Sequence, residues 1–330
     1  VRPRTGGRHS GAPALVLALT LGAALAGACS SSGSRAGPGA GATASQNPAA
    51  NTLEAVLASF DLAAGPPTRV MLGLQTGDGR LVGFGTVQVR VHPLDASTGS
   101  FVTATFVAVP GTQMPRPEPA GAAVVDAVHG RGVYAFRAGF DQPGVWTADV
   151  RATVQGLGAV TASTQFQVLR RHGVVAVGDH APASSNPTIA SHSGVPLSAV
   201  DSRAQGGNPV PDPALHATTV AAALAAHRPV VVVVSTPVYC TSRFCGPTTD
   251  MVDALAKQYA KRAAFVHIEV WENYQNQQVS PAAAQWILRG PGDGTEPWVF
   301  VVGSDGIVKA RFDNVVTRAD LVAALDQYAP

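Results

Sequence analysis

The sequence predicts a multidomain chain, an all-β sandwich followed by an α/β domain. Two observations predict this. From about Thr68 to Leu169, apolar and polar residues alternate with period two, as in half-buried strands. From Pro213 to the end, helix-like and strand-like runs alternate instead. A third observation sets the two apart: residues 177–213 are rich in Ser, Asn, Gly and Pro. The expected organisation is a targeting segment over 1–28, a disordered tether over 29–66, the sandwich over 67–170, a linker and entry segment over 171–212, and the α/β domain over 213–330.

The elements follow in chain order. Arg2, Arg4 and Arg8 precede an apolar run from Ala12 to Leu25, which is short for a bilayer span. Small residues then lead to Cys29 in Leu25-Ala26-Gly27-Ala28-Cys29. This segment resembles a bacterial lipoprotein signal, although its leucine lies four residues before the cysteine rather than three. The resemblance implies lipidation of Cys29 and a protein anchored to the extracytoplasmic face of the cell membrane. The Ser-, Gly- and Ala-rich stretch after Cys29 has no apolar periodicity and reads as a tether. With Cys29 lipidated, Cys240 and Cys245 are left as an even pair in a disulfide-permissive compartment. Net charge is +2, without basic clusters beyond the signal, so nucleic acid is not an expected partner.

In the sandwich, Val87, Val89 and Val91 alternate with Gln88, Arg90 and His92. Trp146, Ala148 and Val150 alternate with Thr147, Asp149 and Arg151, and Phe166 and Val168 with Gln165 and Gln167. Turn signals at 76–79, 92–93, 110–111 and 141–144 divide the runs. The stretches Gly132-Val-Tyr-Ala-Phe-Arg and Phe140 to Val150 resemble immunoglobulin-like modules of exported bacterial proteins. The region holds no cysteine, and its expected role is structural or partner-docking, with Trp146 in the core.

In the C-terminal half, Asp212 is an N-cap candidate for a helix over Pro213 to Ala226. Val230 to Val234 is a continuous β-branched run, as in a strand covered on both faces. A helix is expected from about Pro247 to Lys261, a strand over Ala264 to Val270, and another over Trp298 to Val302. A Ser304-Asp305-Gly306 turn leads to a last strand over Ile307 to Phe312, and a helix over Thr317 to Tyr328 closes the chain. Asp179, His180 and His192 read as a solvated loop rather than metal ligands.

Between the first strand and the second helix stands Tyr239-Cys240-Thr-Ser-Arg-Phe244-Cys245-Gly246-Pro247. Phe244-Cys245-Gly246-Pro247 resembles the Trp-Cys-Gly-Pro part of the thioredoxin active site. Glu296-Pro297 before the third strand resembles that family's cis-proline, and Gly178, Ala181 and Pro182 resemble an element that opens such domains. The resemblance covers about Pro213 to Pro330 and implies a thioredoxin-like fold with Cys245, Cys240 and Pro297 as site residues. Physical chemistry agrees with that placement. A helix start offers unpaired N–H groups and partial positive charge, which stabilise a thiolate.

Two departures stand out. The family's second cysteine would fall at Thr248, and the partner is instead upstream at Cys240. The family's buried acid is missing from Val230 to Val234, leaving Glu269 on the next strand as a substitute or as an exposed strand position. Cys245 takes the nucleophile's position with Cys240 resolving, or the two exchange roles. The expected function is a membrane-anchored thiol–disulfide oxidoreductase acting on exported proteins, with no cofactor and no metal. One alternative is a non-enzymatic binding module stapled by a structural Cys240–Cys245 bridge. Another is a copper chaperone resembling cytochrome-oxidase assembly factors, with His267 as third ligand. A peroxiredoxin-type peroxidase is the least favoured reading: Pro237 stands where that family needs a hydroxyl before Cys240, and for Cys245, where Ser242 could serve, Val238 stands at the upstream proline position.

Overall fold

The computed structural model describes residues 48–192, 194–290 and 294–329. The expected signal over 1–28, Cys29 and the first part of the tether lie outside these residues. Among the described residues, no helix is long and apolar enough to cross a membrane.

The first half is an antiparallel all-β sandwich. Its strands are β1 (Leu53–Leu57), β2 (Gly65–Thr76), β3 (Leu81–Gly83), β4 (Thr86–Pro93), β5 (Val102–Ala108), β6 (Ala123–Val125), β7 (Gly132–Phe140), β8 (Gly144–Val154) and β9 (Gly158–Val168). They form one hydrogen-bonded path, β6-β3-β2-β7-β5-β4-β8-β9, with β1 on β2. The path folds over on itself. Leu62 and Ala64 exchange backbone hydrogen bonds with Leu169 after β9, and Ala123 of β6 bridges to Gln155. The enclosed core takes the inward residues of the alternating runs: Val87 and Val89, Trp146, Ala148 and Val150, Phe166 and Val168. The boundary expected at residue 67 moves upstream. Leu53 is buried and β1 pairs with β2 from Leu53↔Thr76 to Leu57↔Leu72, so the expected tether already contributes a strand.

The second half holds a four-stranded sheet, ordered β11-β10-β14-β15, built with helices α1 (Val220–Ala225), α2 (Cys245–Tyr259), α3 (Pro281–Ile287) and α4 (Arg318–Tyr328). The strands are β10 (Val230–Ser235), β11 (Ala264–Glu269), β14 (Trp298–Val302) and β15 (Val308–Asp313); a small hairpin of β12 (Trp271–Asn273) and β13 (Gln278–Val279) sits between β11 and α3. β10 runs parallel to β11 and antiparallel to β14, and β15 is antiparallel to β14. Val230, Val232 and Val234 face α1 and α3, while Val231 and Val233 face α2 and α4. Every residue of β10 is buried, which is why the run carries no polar alternation. Each such valine contributes ~1.5–3 kcal/mol of burial.

Three expectations change in this half. The segment 171–212 is not a free linker. Val175 is buried, Ser184 accepts from the Trp286 indole at 3.0 Å, and Asn186 accepts from Val220 N at 2.9 Å. Its polar residues satisfy buried donors, a role that composition does not distinguish from solvation. The helix expected over Pro213 to Ala226 is broken into a 3-10 turn at Pro213–His216 and α1. Thr219, not Asp212, caps α1 by accepting from Ala222 N, because Asp212 is drawn inward to Arg203 and His216. Finally, α2 starts at Cys245, two residues before the expected Pro247.

The two halves share a packed seam. Met71, Val109 and Val133 of the sandwich side meet Val315, with Phe244 packed against them. Asp61 is buried at the junction, accepting from Arg311 at 2.7 Å, from Gly173 N at 2.9 Å and contacting His172 at 2.8 Å. Asn314 donates to Ala58 O at 2.8 Å, and Phe60 N to Asp313 at 2.7 Å.

Candidate redox site

The valine strand β10 ends at Ser235, and the chain turns through Thr236 to Cys240, whose N–H donates to Thr236 O at 3.1 Å. Arg243 then takes a positive φ of 62°, which swings Phe244 into the seam and starts α2 at Cys245. Cys240 and Cys245 are bridged, with a Cα separation of 6.1 Å. Cys245 is wholly buried and Cys240 half-buried, with its sulfur 3.2 Å from Ser242 Oγ. The accessible sulfur is therefore that of Cys240.

Glu296 completes the site. One of its carboxylate oxygens and the two sulfurs all lie within 4.8 Å of one another. Burial, and then the charge of Glu269, push the Glu296 carboxyl up to about 7. The Glu296–Pro297 peptide is cis, Pro297 is buried, and its carbonyl accepts from Asn314 N at 2.9 Å. Glu269 is buried rather than exposed on its strand, and accepts from Ser202 N at 2.8 Å. Burial raises its pKa as well, against the partial opposition of His267.

The loop is held from both sides. Val238 N donates to Ser202 Oγ at 3.2 Å, and the Tyr239 hydroxyl to Gln205 at 2.9 Å. The Tyr239 ring stacks on Tyr274 at 3.9 Å, with Trp271 edge-on to Tyr274 at 5.4 Å. A groove between Pro110, Gly111, Pro247 and Met251 opens beside the start of α2, at the sandwich boundary. These aromatic and groove residues carry no motif. Glu296 does carry a signal, as the acid directly before the matched proline.

His267 is not brought to the cysteines. It lies on β11 with its Nε2 3.0 Å from Ser235 Oγ, and it groups with Asp201 and His216. Asp179 pairs with Arg289 at 2.9 Å and His192 contacts Val195 O at 2.6 Å. Among the described residues, these two and His180 form no common ligand group.

No family model and no curated protein matches the chain. Among solved structures, the Lin-41 filamin domain is 21% identical over 37% of this chain and 96% of that one, with a TM-score of 0.20. The superoxide reductase (neelaredoxin) of Ignicoccus hospitalis is 9% identical over 36% and 79%, with a TM-score of 0.19. A β-glucosidase of Kluyveromyces marxianus is 13% identical over 37% and 14%, with a TM-score of 0.17. None of these scores is high enough to carry an argument about this chain.

Proposed function

We propose that the protein is an extracytoplasmic, lipid-anchored thiol–disulfide oxidoreductase with a thioredoxin-like C-terminal domain and an immunoglobulin-like sandwich before it. The observation that carries this reading is a bridged cysteine pair at a helix start with a half-buried carboxyl of raised pKa beside both sulfurs. The mixed sheet β11-β10-β14-β15 with helices on both faces, and a cis-proline entering β14, support the thioredoxin-like assignment. The anchor rests on the sequence around Cys29.

In the oxidised protein a substrate thiolate attacks Cys240, the more accessible of the two sulfurs. The Cys240–Cys245 bond breaks, and Cys245 leaves as a thiolate facing the N–H groups of α2. A second substrate thiolate attacks the substrate sulfur of the mixed disulfide and releases Cys240. The substrate dithiol becomes a disulfide, the pair becomes a dithiol, and Glu296 exchanges the proton with the departing or incoming thiol. Run backwards, the same steps reduce a substrate disulfide. Direction follows from the pair's potential against that of the compartment.

The burial of Cys245 favours a second reading, a structural staple in a binding module. The copper alternative gains no support, because His267 belongs to a separate cluster. A redox titration with trapping variants tests the proposal. Expected is a potential above about −300 mV and protein-sized mixed disulfides on Cys245→Ser, held through Cys240. A lower potential with no adduct on either single-serine variant establishes the staple instead.

A further inference from the structure

On the face of the sheet covered by α2, side-chain atoms of Asp201, His216 and His267 converge in the interior, with Asp212 beside His216. His216 Nε2 lies 3.4 Å from Asp201 Oδ2 and 3.5 Å from Asp212 Oδ1. His267 Nδ1 lies 3.4 Å from Asp201 Oδ2 and 3.4 Å from His216 Nε2. Asp201 and both imidazoles are wholly buried, and Asp212 is 5% exposed.

Three features bear on what this cluster can hold. First, His267 Nε2 lies 3.1 Å from the Ser235 carbonyl, which can only accept, so this hydrogen-bond network assigns the proton to Nε2. Its Nδ1 then presents a lone pair towards Asp201 Oδ2. A ligating histidine holds its other N–H in this way. Second, Asp212 Oδ1 is buried and has no hydrogen-bond partner, although it is aimed at His216. Third, Arg203 fixes both carboxylates from outside, donating to Asp201 Oδ2 and Asp212 Oδ2 at 2.6 Å each and from its Nε to Asp201 Oδ1 at 3.0 Å.

We propose that Asp201, His216 and His267 form a buried site for a divalent transition-metal ion, Zn²⁺ by donor set and by the spacing of these three ligand atoms. Tetrahedral Zn²⁺ with bonds of roughly 2.0–2.1 Å holds its ligand atoms about 3.3–3.4 Å apart, which is the 3.4 Å spacing among Asp201 Oδ2, His216 Nε2 and His267 Nδ1. A proton on His216 is the competing occupant. Burial disfavours it, but Asp201 and Asp212 reverse that effect and raise the His216 pKa. The 3.4 Å separation of His216 from Asp201 is longer than the roughly 2.7–2.9 Å of charge-assisted hydrogen bonds, and it matches the edge of a metal tetrahedron instead.

The ion would tie Asp201 and the turn carrying Asp212 and His216 to β11. This segment also presents Ser202 to the cysteine loop at Val238. The site is independent of the redox reading: no cysteine belongs to it, and it stands if the Cys240–Cys245 bridge is only structural.

The test uses the full chain, stripped with chelator and titrated with Zn²⁺, with metal content and X-ray absorption measured on the loaded protein. Expected is one tightly held equivalent, a nitrogen and oxygen shell with two imidazoles and no sulfur, and unchanged binding in the Cys240→Ser/Cys245→Ser double variant. Asp201→Asn and His216→Ala should weaken binding more than ~10-fold. No stoichiometric zinc, sulfur in the shell, or unaltered affinity in Asp201→Asn overturns the site. If His216→Ala does not fold, the absorption spectrum and the double cysteine variant decide the question.

Discussion

Glu296 holds a carboxyl where two sulfurs lie close by and burial withholds water, and Glu269 adds a like charge. Its folded pKa is raised to about 7 from an ordinary 4.5. The linkage has a definite sign. Its contribution to stability is complete below the unfolded pKa and is lost as pH rises through about 7. Glu296→Gln should therefore gain on the wild type between pH 5 and pH 8, by up to ~3 kcal/mol and by less to the extent that the carboxyl stays hydrated. Denaturant midpoints at the two pH values measure this difference. In the redox reading, thiol exchange at the reduced pair should also show an inflection near pH 7 that Glu296→Gln abolishes. An unchanged rate profile would leave Glu296 a passive neighbour of the sulfurs. At this scale the sequence was legible where chemistry is local. Cys245-Gly246-Pro247 announces a helix start, and Cys240 stands five residues away. It was illegible where chemistry is brought together over distance. Asp201 and His267 are far apart in sequence, and nothing in either local pattern marks them as neighbours.

Elements were legible in proportion to how strongly one force dominated them. Val230 to Val234 could be read as a doubly covered strand because all five side chains are apolar and β-branched, and β10 is buried throughout. The break at Ala217 to Thr219 was not readable, because Asp212 and Pro213 look like a helix start while the pull of Arg203 on Asp212 is tertiary. α4 shows the opposite case, a boundary written in its cap. Thr317 Oγ1 accepts from Asp320 N at 3.0 Å, and Asp320 accepts from Thr317 N at 3.0 Å. Leu321 and Leu325 carry this helix into the core beside β14. Thr317→Ala should cost about 1 kcal/mol in denaturant unfolding, and Thr317→Ser should restore most of it. A loss much larger than that would mean Thr317 supports the neighbouring seam rather than the helix alone.

Over the whole molecule, the sandwich and the α/β half are joined by an apolar seam and by a buried charge cluster. Burial would raise the Asp61 pKa, but His172 and Arg311 more than reverse it and hold the carboxyl below its usual range. Its contribution is therefore present above the unfolded pKa of 3.8 and lost as pH falls below it. Asp61→Ala leaves Arg311 without its anionic partner and should destabilise the chain by about 3 kcal/mol at neutral pH. Calorimetry should show one cooperative transition in the wild type, since Met71, Val109 and Val315 share a core. Two separated transitions would mean that the seam is too weak to couple the halves. No residue on either side of the seam announces it: Met71 and Val133 sit in strand patterns that the sandwich alone explains.

Phe244 gives the seam a further meaning. It is the residue before Cys245, and its ring is packed among Met71, Val109 and Val315. At the other end of the loop, Val238 is pinned by Ser202. A loop moored at both ends has little room to swing when the bond between its sulfurs opens. The oxidised and reduced molecules then share nearly one backbone, so a partner that senses contour meets the same surface in either state. Only a reagent that reacts with sulfur can tell them apart. In the redox reading, information about oxidation state would leave this protein as electrons, and not as a change of form.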